Sequence, residues 1–298
     1  MQKSRVAILV VAVALSTTML VGATSGSLVG VDDPTARPSP PTPLVASGPI
    51  VVSKDDVTIE RVAIEGEGSG SGIRAVGTAA DPIRNLTIRD CVISDFAIGI
   101  EVRHVQNLVI ERCTIDDSVY AGILVYSSQD GRIVQNTIRK VGFHTPLDTT
   151  YENNAYGIAL TRLASPDFET HPRTTDFVVD SNLVEDVPYW HCLDTHAGER
   201  ITFSDNVTRR CPRAIFITTD GMATRPRDIA VTGNRLEQGL AVDGGTNLTA
   251  ITLVNVETGV IRDNEISTTY PEPFVQDYLG EDPSGSTDVS ITGSKAIP

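Results

Sequence analysis

Short segments that alternate apolar with polar or small residues recur along the chain. Two of them are Leu86–Cys91 and Phe177–Asn182, and each segment ends on Cys, Asn or Ser. This alternation is typical of β-strands with one buried face. The residues that end the successive segments are Cys91, Cys113, Asn136, Asn182, Asn206, Asn234, Asn264 and Ser294. Most of the intervals between them are 22 to 30 residues long, but the interval from Asn136 to Asn182 is 46 residues.

A second set of apolar segments lies between the first ones, at Gly99–Val102, Gly122–Val125, Gly157–Leu160 and Ala214–Ile217. Short strands that return at a regular interval predict a β-solenoid, in which each repeat forms one coil and neighbouring coils share a core. The recurrent Asn lies where the chain must turn, and Asn tolerates the left-handed conformation. We therefore predict an all-β fold, a single-stranded parallel β-helix of about nine coils with loop insertions.

The first 46 residues differ from the repeats in composition. Lys3 and Arg5 precede the apolar run Val6–Leu15, and Val21–Ala23 offers small residues for cleavage. This pattern predicts a signal peptide over residues 1–23 and a secreted protein, with no transmembrane segment in the mature chain. Residues 24–46 are rich in proline and are expected to form a linker. The β-helix domain is expected to span residues 47–298.

The chain has 298 residues and a formal net charge of -14. This charge argues against nucleic acid as a partner, because phosphates require a basic surface. Four cysteines in an exported chain permit disulfides. Cys91 and Cys113 hold the same place in successive repeats, so we expect them either to be bridged or to stack as buried thiols. Cys192 and Cys211 hold different places in their repeats and are expected to be unpaired.

The repeat is interrupted between Asn136 and Asn182, where long loops flank the strand Gly157–Leu160. Insertions in solenoids often carry the binding site. The polar residues of these loops that we consider candidates for substrate contact are His144, Tyr151 and Arg162, with His171 close to them in the sequence. The loops predict one wall of a binding groove, and the alternative is a solvated excursion without function.

The next coil departs from the aliphatic pattern. Its segment Tyr189–Gly198 contains the only Trp of the chain, two His and one Asp. If Leu193 faces the core, strict alternation places Trp190, Cys192, Asp194 and His196 together on the outer face. Asp194 could then orient the imidazole of His196 or neutralise its positive charge. Tyr189 and Trp190 are further candidates for substrate contact, and a polar surface patch is the alternative interpretation.

One coil further along, Arg209–Arg213 is the densest cationic segment of this acidic chain. Arg209 or Arg213 could bind the carboxylate of an acidic sugar through two parallel hydrogen bonds. The alternative is a solvated turn whose arginines offset nearby acidic residues.

The repeats from Ile50 to Ser294 resemble those of the right-handed β-helix proteins, which include pectate lyases, polygalacturonases, alginate-active enzymes and phage tailspikes. The resemblance implies a right-handed helix that acts on carbohydrate polymers. Within it, Asp194-Thr195-His196 resembles the Asp-Pro-His segment of mannuronan C5-epimerases. Thr195 stands in place of the proline, and His191 stands where some members have a tyrosine. By this resemblance, His196 would abstract a proton from a sugar ring and Asp194 would support the site.

Together these features predict a secreted protein that acts on a polysaccharide, as a uronan epimerase or lyase. His196 would be the general base and Asp194 would orient it. The residue that stabilises the enolate-like intermediate would be one of Arg162, Arg209 and Arg213. Epimerisation also needs an acid on the other face of the sugar, for which His191 and Tyr189 are the candidates.

Two alternatives belong to other classes of protein. A glycoside hydrolase would use a pair of carboxylates, for which Asp194 and Asp220 are the best candidates. A glycan-binding or cell-surface β-helix protein would need no catalytic residues. We expect a monomer. We also expect no cofactor, because no segment has the ligand set of a calcium loop and the spacing of His and Cys matches no zinc site.

Overall fold

The computed structural model describes residues 43–142, 154–240, 248–278 and 285–298. All regular structure in these ranges is β, in strands that form three sheets. Sheet 1 contains β3 (Val57–Glu60), β6 (Ile83–Arg89), β9 (Val105–Glu111), β12 (Gln129–Val134), β15 (Thr175–Asp180), β18 (Glu199–Ser204), β21 (Ile229–Thr232), β24 (Thr258–Arg262) and β27 (Asp288–Thr292). Sheet 2 contains β1 (Val45–Ser47), β4 (Val62–Glu65), β7 (Val92–Ser94), β10 (Thr114–Asp116), β13 (Thr137–Arg139), β16 (Leu183–Glu185), β19 (Val207–Arg209), β22 (Arg235–Glu237), β25 (Glu265–Ser267) and β28 (Lys295–Ile297). Sheet 3 contains β2 (Ile50–Val52), β5 (Ser71–Val76), β8 (Ile98–Arg103), β11 (Ala121–Tyr126), β14 (Tyr156–Thr161), β17 (His191–His196), β20 (Arg213–Thr218), β23 (Thr249–Val254) and β26 (Val275–Tyr278).

Each strand pairs in parallel with the strand three places further along the chain. One coil therefore consists of a strand from sheet 1, then sheet 2, then sheet 3, and the next coil repeats this order. This is the parallel β-helix that the repeats predict. The ranges described contain no helix with the length and apolar character that crossing a lipid bilayer requires. The predicted signal peptide and most of the predicted linker lie outside the described residues.

The core is built from stacks of identical or similar apolar side chains. In sheet 3 the pairing register aligns the buried residues Ile73, Ile100, Ile123, Ile158, Leu193, Ile215 and Ile251. Adjacent members of such a stack are separated by one strand spacing of about 4.8 Å, which brings their side chains into van der Waals contact. The inward residues of the repeated segments thus form a continuous core along the axis.

The Asn that ends each segment forms a ladder at the turn between sheets 1 and 2. The Nδ2 group of Asn182 donates a hydrogen bond of 2.9 Å to the Oδ1 atom of Asn206, and Asn206 bonds in the same way to Asn234. Asn206 also donates to the carbonyl of Val179. Cys91 and Cys113 replace Asn in the first coils as free, buried thiols, so the stacked arrangement is the one observed.

The strands of sheet 3 from β5 to β23 begin at a tight corner, where the second residue of a strand faces the interior together with the third. Gly122 has this place in β11, and a Cβ atom there would lie 2.4 Å from Cγ2 of Ile138. In β17 the same place is held by Cys192, which is buried and forms a disulfide with Cys211 across a Cα–Cα distance of 6.0 Å.

The expectation that Cys192 and Cys211 are unpaired is therefore wrong. That expectation rested on the different places of the two cysteines within the linear repeat. In the coil, Cys192 begins a strand of sheet 3, and Cys211 lies at the turn that leads into the next strand of that sheet. Both side chains point into the same corner from successive coils.

Candidate active site

The outer face of sheet 3 carries a cluster of polar side chains at β17. Asp194 is aligned with Ala159 of the preceding strand and Phe216 of the following one, whereas its neighbour Leu193 belongs to the core. The prediction that Asp194 and His196 share the outer face is confirmed. The same prediction is wrong for Cys192, because the corner at the start of the strand breaks the alternation.

Asp194 lies between two imidazoles. Its Oδ2 atom is 2.5 Å from Nδ1 of His191 and 3.2 Å from Nε2 of His196. The side chains of Asp194 and His191 have no exposed surface, whereas 30% of the His196 side chain is exposed. A buried carboxylate thus holds one imidazole that is accessible to a ligand and one that is not.

His191 is held on all sides. Its ring stacks on Phe216, with ring centroids 4.0 Å apart and planes 9° from parallel. Its Nε2 atom is 3.3 Å from Nη1 of Arg213. Because a guanidinium can only donate, Nε2 of His191 accepts, and Nδ1 carries the hydrogen that is donated to Asp194. Both ring nitrogens are therefore engaged, and the side chain of His191 has no exposed surface.

The charges of the site follow from burial and from these contacts. Burial alone would raise the pKa of Asp194, but the two imidazoles and their hydrogen bonds lower it to about 2. Burial lowers the pKa of His191 to about 4, against the attraction of Asp194. Burial also acts to lower the pKa of His196, but the charge and hydrogen bond of Asp194 outweigh it and raise this pKa above its usual value. Near neutral pH, Asp194 is ionised and His191 is neutral.

Arg213 lies one coil beyond His191, on the same face. Its guanidinium carbon lies 4.9 Å from the ring centroid of Trp190 and 5.4 Å from that of Phe216. It lines a cavity of about 170 Å³ together with Phe216, Thr249, Thr252, Val254 and Tyr278. The lining thus combines one cation with the aromatic rings of Phe216 and Tyr278, while Oγ1 of Thr249 and Oγ1 of Thr252 hydrogen-bond to each other.

Two further candidates of the sequence analysis, Arg162 and Arg209, form ion pairs with residues other than Asp194. Arg162 is buried, forms an ion pair with Asp220 and donates hydrogen bonds to the carbonyls of Ser165 and His171, so it holds its own loop together. Arg209 lies on sheet 2 and pairs with Glu237 at 2.6 Å.

The remaining aromatic candidates divide in two. Trp190 is partly buried against an apolar cluster on sheet 3 that includes Leu124, Tyr156 and Ala159. Tyr189 is exposed and lies just before β17. His144 and Tyr151 lie outside the described residues. Of all the residues considered, the structure brings together Asp194, His191, His196, Trp190 and Arg213.

Sequence reasoning missed two aromatic residues of the site. Phe216 stacks on His191, and the ring of Tyr156 meets that of His191 edge-on, with centroids 5.6 Å apart. Tyr156 pairs with His191 in the register of sheet 3, and Phe216 pairs with Asp194. Aligning the second set of segments residue by residue would have placed both rings beside the His–Asp–His cluster.

The same cluster is the one group of possible metal ligands among the described residues, since ligand atoms of His191, Asp194 and His196 all lie within 4.8 Å of one another. Two imidazoles and a carboxylate suit zinc. However, the 2.5 Å hydrogen bond from His191 to Asp194 leaves no space for a cation between these two groups, and a metal would have to displace it. The expectation that no cofactor is bound stays a prediction.

The comparisons with known proteins agree with this fold. The family model described as "Right handed beta helix region" matches residues 45–169. A sequence search of curated proteins finds no significant match. The structure is similar to that of an alginate lyase from Paenibacillus sp. str. FPU-7, with a TM-score of 0.52, 14% identity, and coverage of 85% of this chain and 95% of that one. It also matches the catalytic unit of a GH87 α-1,3-glucanase from Streptomyces thermodiastaticus strain HF3-3, with a TM-score of 0.49, 14% identity, and coverage of 82% of this chain and 49% of that one.

The chain is thus a right-handed parallel β-helix. Its described residues place a His–Asp–His cluster and an arginine-lined cavity next to each other on the outer face of sheet 3.

Proposed function

We propose that this protein is a polysaccharide-modifying enzyme that removes a proton from an acidic sugar, as a uronan epimerase or lyase. The observation that carries the proposal is the Asp194–His196 pair, in which a fully buried carboxylate lies 3.2 Å from an imidazole that is partly exposed. Burying a charged group is costly unless it is paired and hydrogen-bonded. Ala159 and Leu124 hold the place of Asp194 on the two preceding coils. The polar cluster on this coil is therefore more readily explained by use than by packing.

The contact with Asp194 supports a separate role for each nitrogen of His196. Asp194 accepts a hydrogen bond from Nε2, so the lone pair of the neutral ring lies on Nδ1. Nδ1 would take the proton from the sugar carbon, and Asp194 would stabilise the imidazolium that forms. His191 would hold Asp194 in place through its own hydrogen bond. A positioned base with a pKa above its usual value is well matched to this step.

Arg213 would bind the carboxylate of the sugar whose proton is removed. Neutralising this carboxylate favours the enolate-like intermediate, because negative charge moves onto it as the C–H bond breaks. The cavity beside Arg213 has room for such a sugar and lies one coil from Asp194. In a chain with a net charge of -14, a partly buried guanidinium next to the site favours an anionic substrate.

Elimination and epimerisation differ in where the second proton comes from. A lyase needs a proton only for the leaving oxygen, and the protonated His196 could return it. An epimerase needs a donor on the opposite face of the ring. His191 is buried with both nitrogens engaged, which leaves Tyr189 as the candidate donor from the sequence.

A glycoside hydrolase has less support. It needs one carboxylic acid that stays protonated, with a raised pKa. Burial would raise the pKa of Asp220, but hydrogen bonds from Thr224, Met222 and Arg162 lower it. The pKa of Asp194 is also lowered, to about 2, so neither carboxylate is suited to be the acid.

The location of the protein outside the cell is part of the proposal. The pattern of residues 1–23 and the disulfide between Cys192 and Cys211 both favour an oxidising compartment. The Paenibacillus protein of similar structure is named as an alginate lyase, and alginate is a polymer of uronic acids. Alginate and pectate are therefore the first substrates to assay.

The direct test is the variant His196→Gln. We expect it to fold normally and to lower turnover of the identified uronan by roughly 10²–10⁴, the usual contribution of a positioned proton acceptor. The matched control is His171→Gln, which replaces a partly buried histidine of the loop after β14 and should change turnover less than about twofold, because His171 lies outside the His–Asp–His cluster. Full activity of His196→Gln, with an unchanged thermal unfolding midpoint, would exclude this site.

A further inference from the structure

A second cluster of charged side chains lies on the outer face of sheet 3, towards the N-terminus from the candidate active site. It centres on Glu101, whose side chain is only 7% exposed. Its Oε2 atom accepts hydrogen bonds from Oγ of Ser71 at 2.8 Å and from Nε of Arg74 at 3.2 Å. Its Oε1 atom accepts a hydrogen bond of 2.9 Å from Nε of Arg103. One buried carboxylate therefore holds two guanidinium groups, and the cluster carries an excess positive charge.

The guanidinium of Arg103 is fixed in position by two contacts. Glu101 binds one of its edges, and the ring of Tyr126 on the next coil lies against its face, with 4.7 Å between Cζ and the ring centroid. A guanidinium that is already ordered loses little side-chain entropy when it binds an anion. Arg103 remains 33% exposed and Arg74 46% exposed.

The contacts with Glu101 leave several donors of the two arginines unused. Within the described parts of the chain, Nη1 of Arg103 and both Nη atoms of Arg74 have no hydrogen-bond partner. One arginine would be enough to neutralise Glu101. A second guanidinium on the same carboxylate, in an acidic chain, creates a local site for another negative charge.

The register of sheet 3 gives the position of this cluster relative to His196. Arg103 pairs with Tyr126, Tyr126 pairs with Thr161, and Thr161 directly follows Leu160, which pairs with Thr195. Arg103 and His196 thus stand in the same row of outward side chains, three strand spacings or about 14 Å apart. Arg213 lies on the opposite side of Asp194, one coil further along. Two cationic positions therefore flank the candidate active site along the solenoid axis.

We propose that Arg103, together with Arg74, binds the carboxylate of a second acidic sugar of the same polymer chain. The polymer then lies along the solenoid axis on the outer face of sheet 3, with one acidic sugar at His196 and another at Arg103. This inference rests on the proposed function and specifies it, since it predicts a binding site that only chains longer than a disaccharide can reach.

The test measures how affinity depends on chain length. Oligosaccharides of alginate and of pectate, from dimers to decamers, are titrated by calorimetry into His196→Gln protein, in which turnover does not interfere. In this background we expect Arg103→Met to weaken the binding of long oligosaccharides by about tenfold, the loss of one charge-assisted hydrogen bond, and to leave dimers unaffected. Arg103→Lys, which keeps the charge, should retain part of the affinity for long chains.

The matched control is Arg132→Met, which removes the same charge from the exposed outer face of sheet 1 and should leave every affinity unchanged. An equal loss at all lengths with Arg103→Met, or no loss at any length, would overturn the inference while wild-type turnover upholds the proposed function. A different result would overturn only the proposed function. In that case the variant His196→Gln has full turnover, while the binding of long oligosaccharides still depends on Arg103. If the protein binds no acidic oligosaccharide of any length, both are wrong.

Discussion

Asp194 is an ionised carboxylate with no exposed surface, and its cost of burial is offset by two imidazoles. Replacing one partner of a buried charge destabilises a protein more than breaking an ion pair on its surface, because the buried charge is then left without compensation. His191 supplies the short hydrogen bond that keeps Asp194 in place, and Phe216 and Arg213 fix His191 in turn. The position of His196 therefore depends on residues from two successive coils.

The pH dependence of catalysis should report the contact between Asp194 and His196. A general base must be neutral, so kcat/KM should rise with pH through the pKa of His196, which Asp194 holds above its usual value. Asp194→Asn removes the negative charge that stabilises the imidazolium, so the pKa of His196 falls. We expect the rising limb of the profile to move to lower pH and the maximum rate to fall. Asp167→Asn, in an exposed loop, is the control and should leave the profile unchanged. A rising limb that stays in place or moves to higher pH would contradict this account of the pair.

At this scale, sequence reasoning identified the Asp194–His196 pair because two residues of equal parity in a strand share a face. It could not assign the roles of His191 and Cys192. Alternation fails at the corner where the strand begins, and the corner depends on contacts with the preceding sheet. The partners of His191, Tyr156 and Arg213, are 35 and 22 residues away in the sequence, and only the register of the coils brings them together.

The seven strands of sheet 3 from β5 to β23 have a small residue at the second position, as the geometry of the coil requires. Gly99, Gly122 and Gly157 hold this place. A Cβ atom added at any of them would lie within 2.4 Å of an inward side chain of sheet 2. In β17, Cys192 occupies the corner and is bonded to Cys211. The coil that carries the candidate active site thus replaces close packing at its corner with a covalent link.

The packing at this corner predicts the effect of adding one methyl group. Gly122→Ala would place its Cβ 2.4 Å from Cγ2 of Ile138 and 2.7 Å from the carbonyl oxygen of Gly157. Because backbone cannot move aside cheaply, we expect the free energy of unfolding to fall by about 1–3 kcal/mol. Gly48→Ala makes the same change where no atom lies within 4 Å of the added Cβ. Its midpoint of thermal unfolding should stay within the error of the wild-type value, and an equal loss in both variants would show that the corner is not the cause.

The strands of sheets 1 and 3 were predicted from the two sets of alternating segments, and the turn after sheet 1 was predicted from the Asn that recurs from Asn136 onwards. The short strands of sheet 2 were not predicted. The ladder from Asn136 to Asn264 is the physical reason for that Asn, because every member bonds to the equivalent residue of the next coil. The disulfide was not predicted. Its two cysteines occupy different places in the linear repeat and meet only where successive coils share a corner.

The outer faces of the three sheets differ in the side chains that they carry. Sheets 1 and 2 carry ion pairs between successive coils, such as Arg89 with Glu60 on sheet 1 and Arg209 with Glu237 on sheet 2. The outer face of sheet 3 carries aromatic side chains, two cationic positions and the His–Asp–His cluster. A repeating fold gives each face a constant spacing along the axis, which suits a repeating polymer as ligand. The sequence predicts the solenoid through its period, whereas the site depends on single departures from that period.

The most direct test of the central claim is to follow the sugar C–H bond. Wild-type protein is incubated with alginate or pectate in D₂O, and the products are analysed by mass spectrometry and by ultraviolet absorbance. If His196 removes a proton from an acidic sugar, the products will contain either unsaturated ends, from elimination, or deuterium at the carbon that was deprotonated, from epimerisation. New reducing ends with neither unsaturation nor deuterium would show that the protein is a hydrolase and would contradict the account.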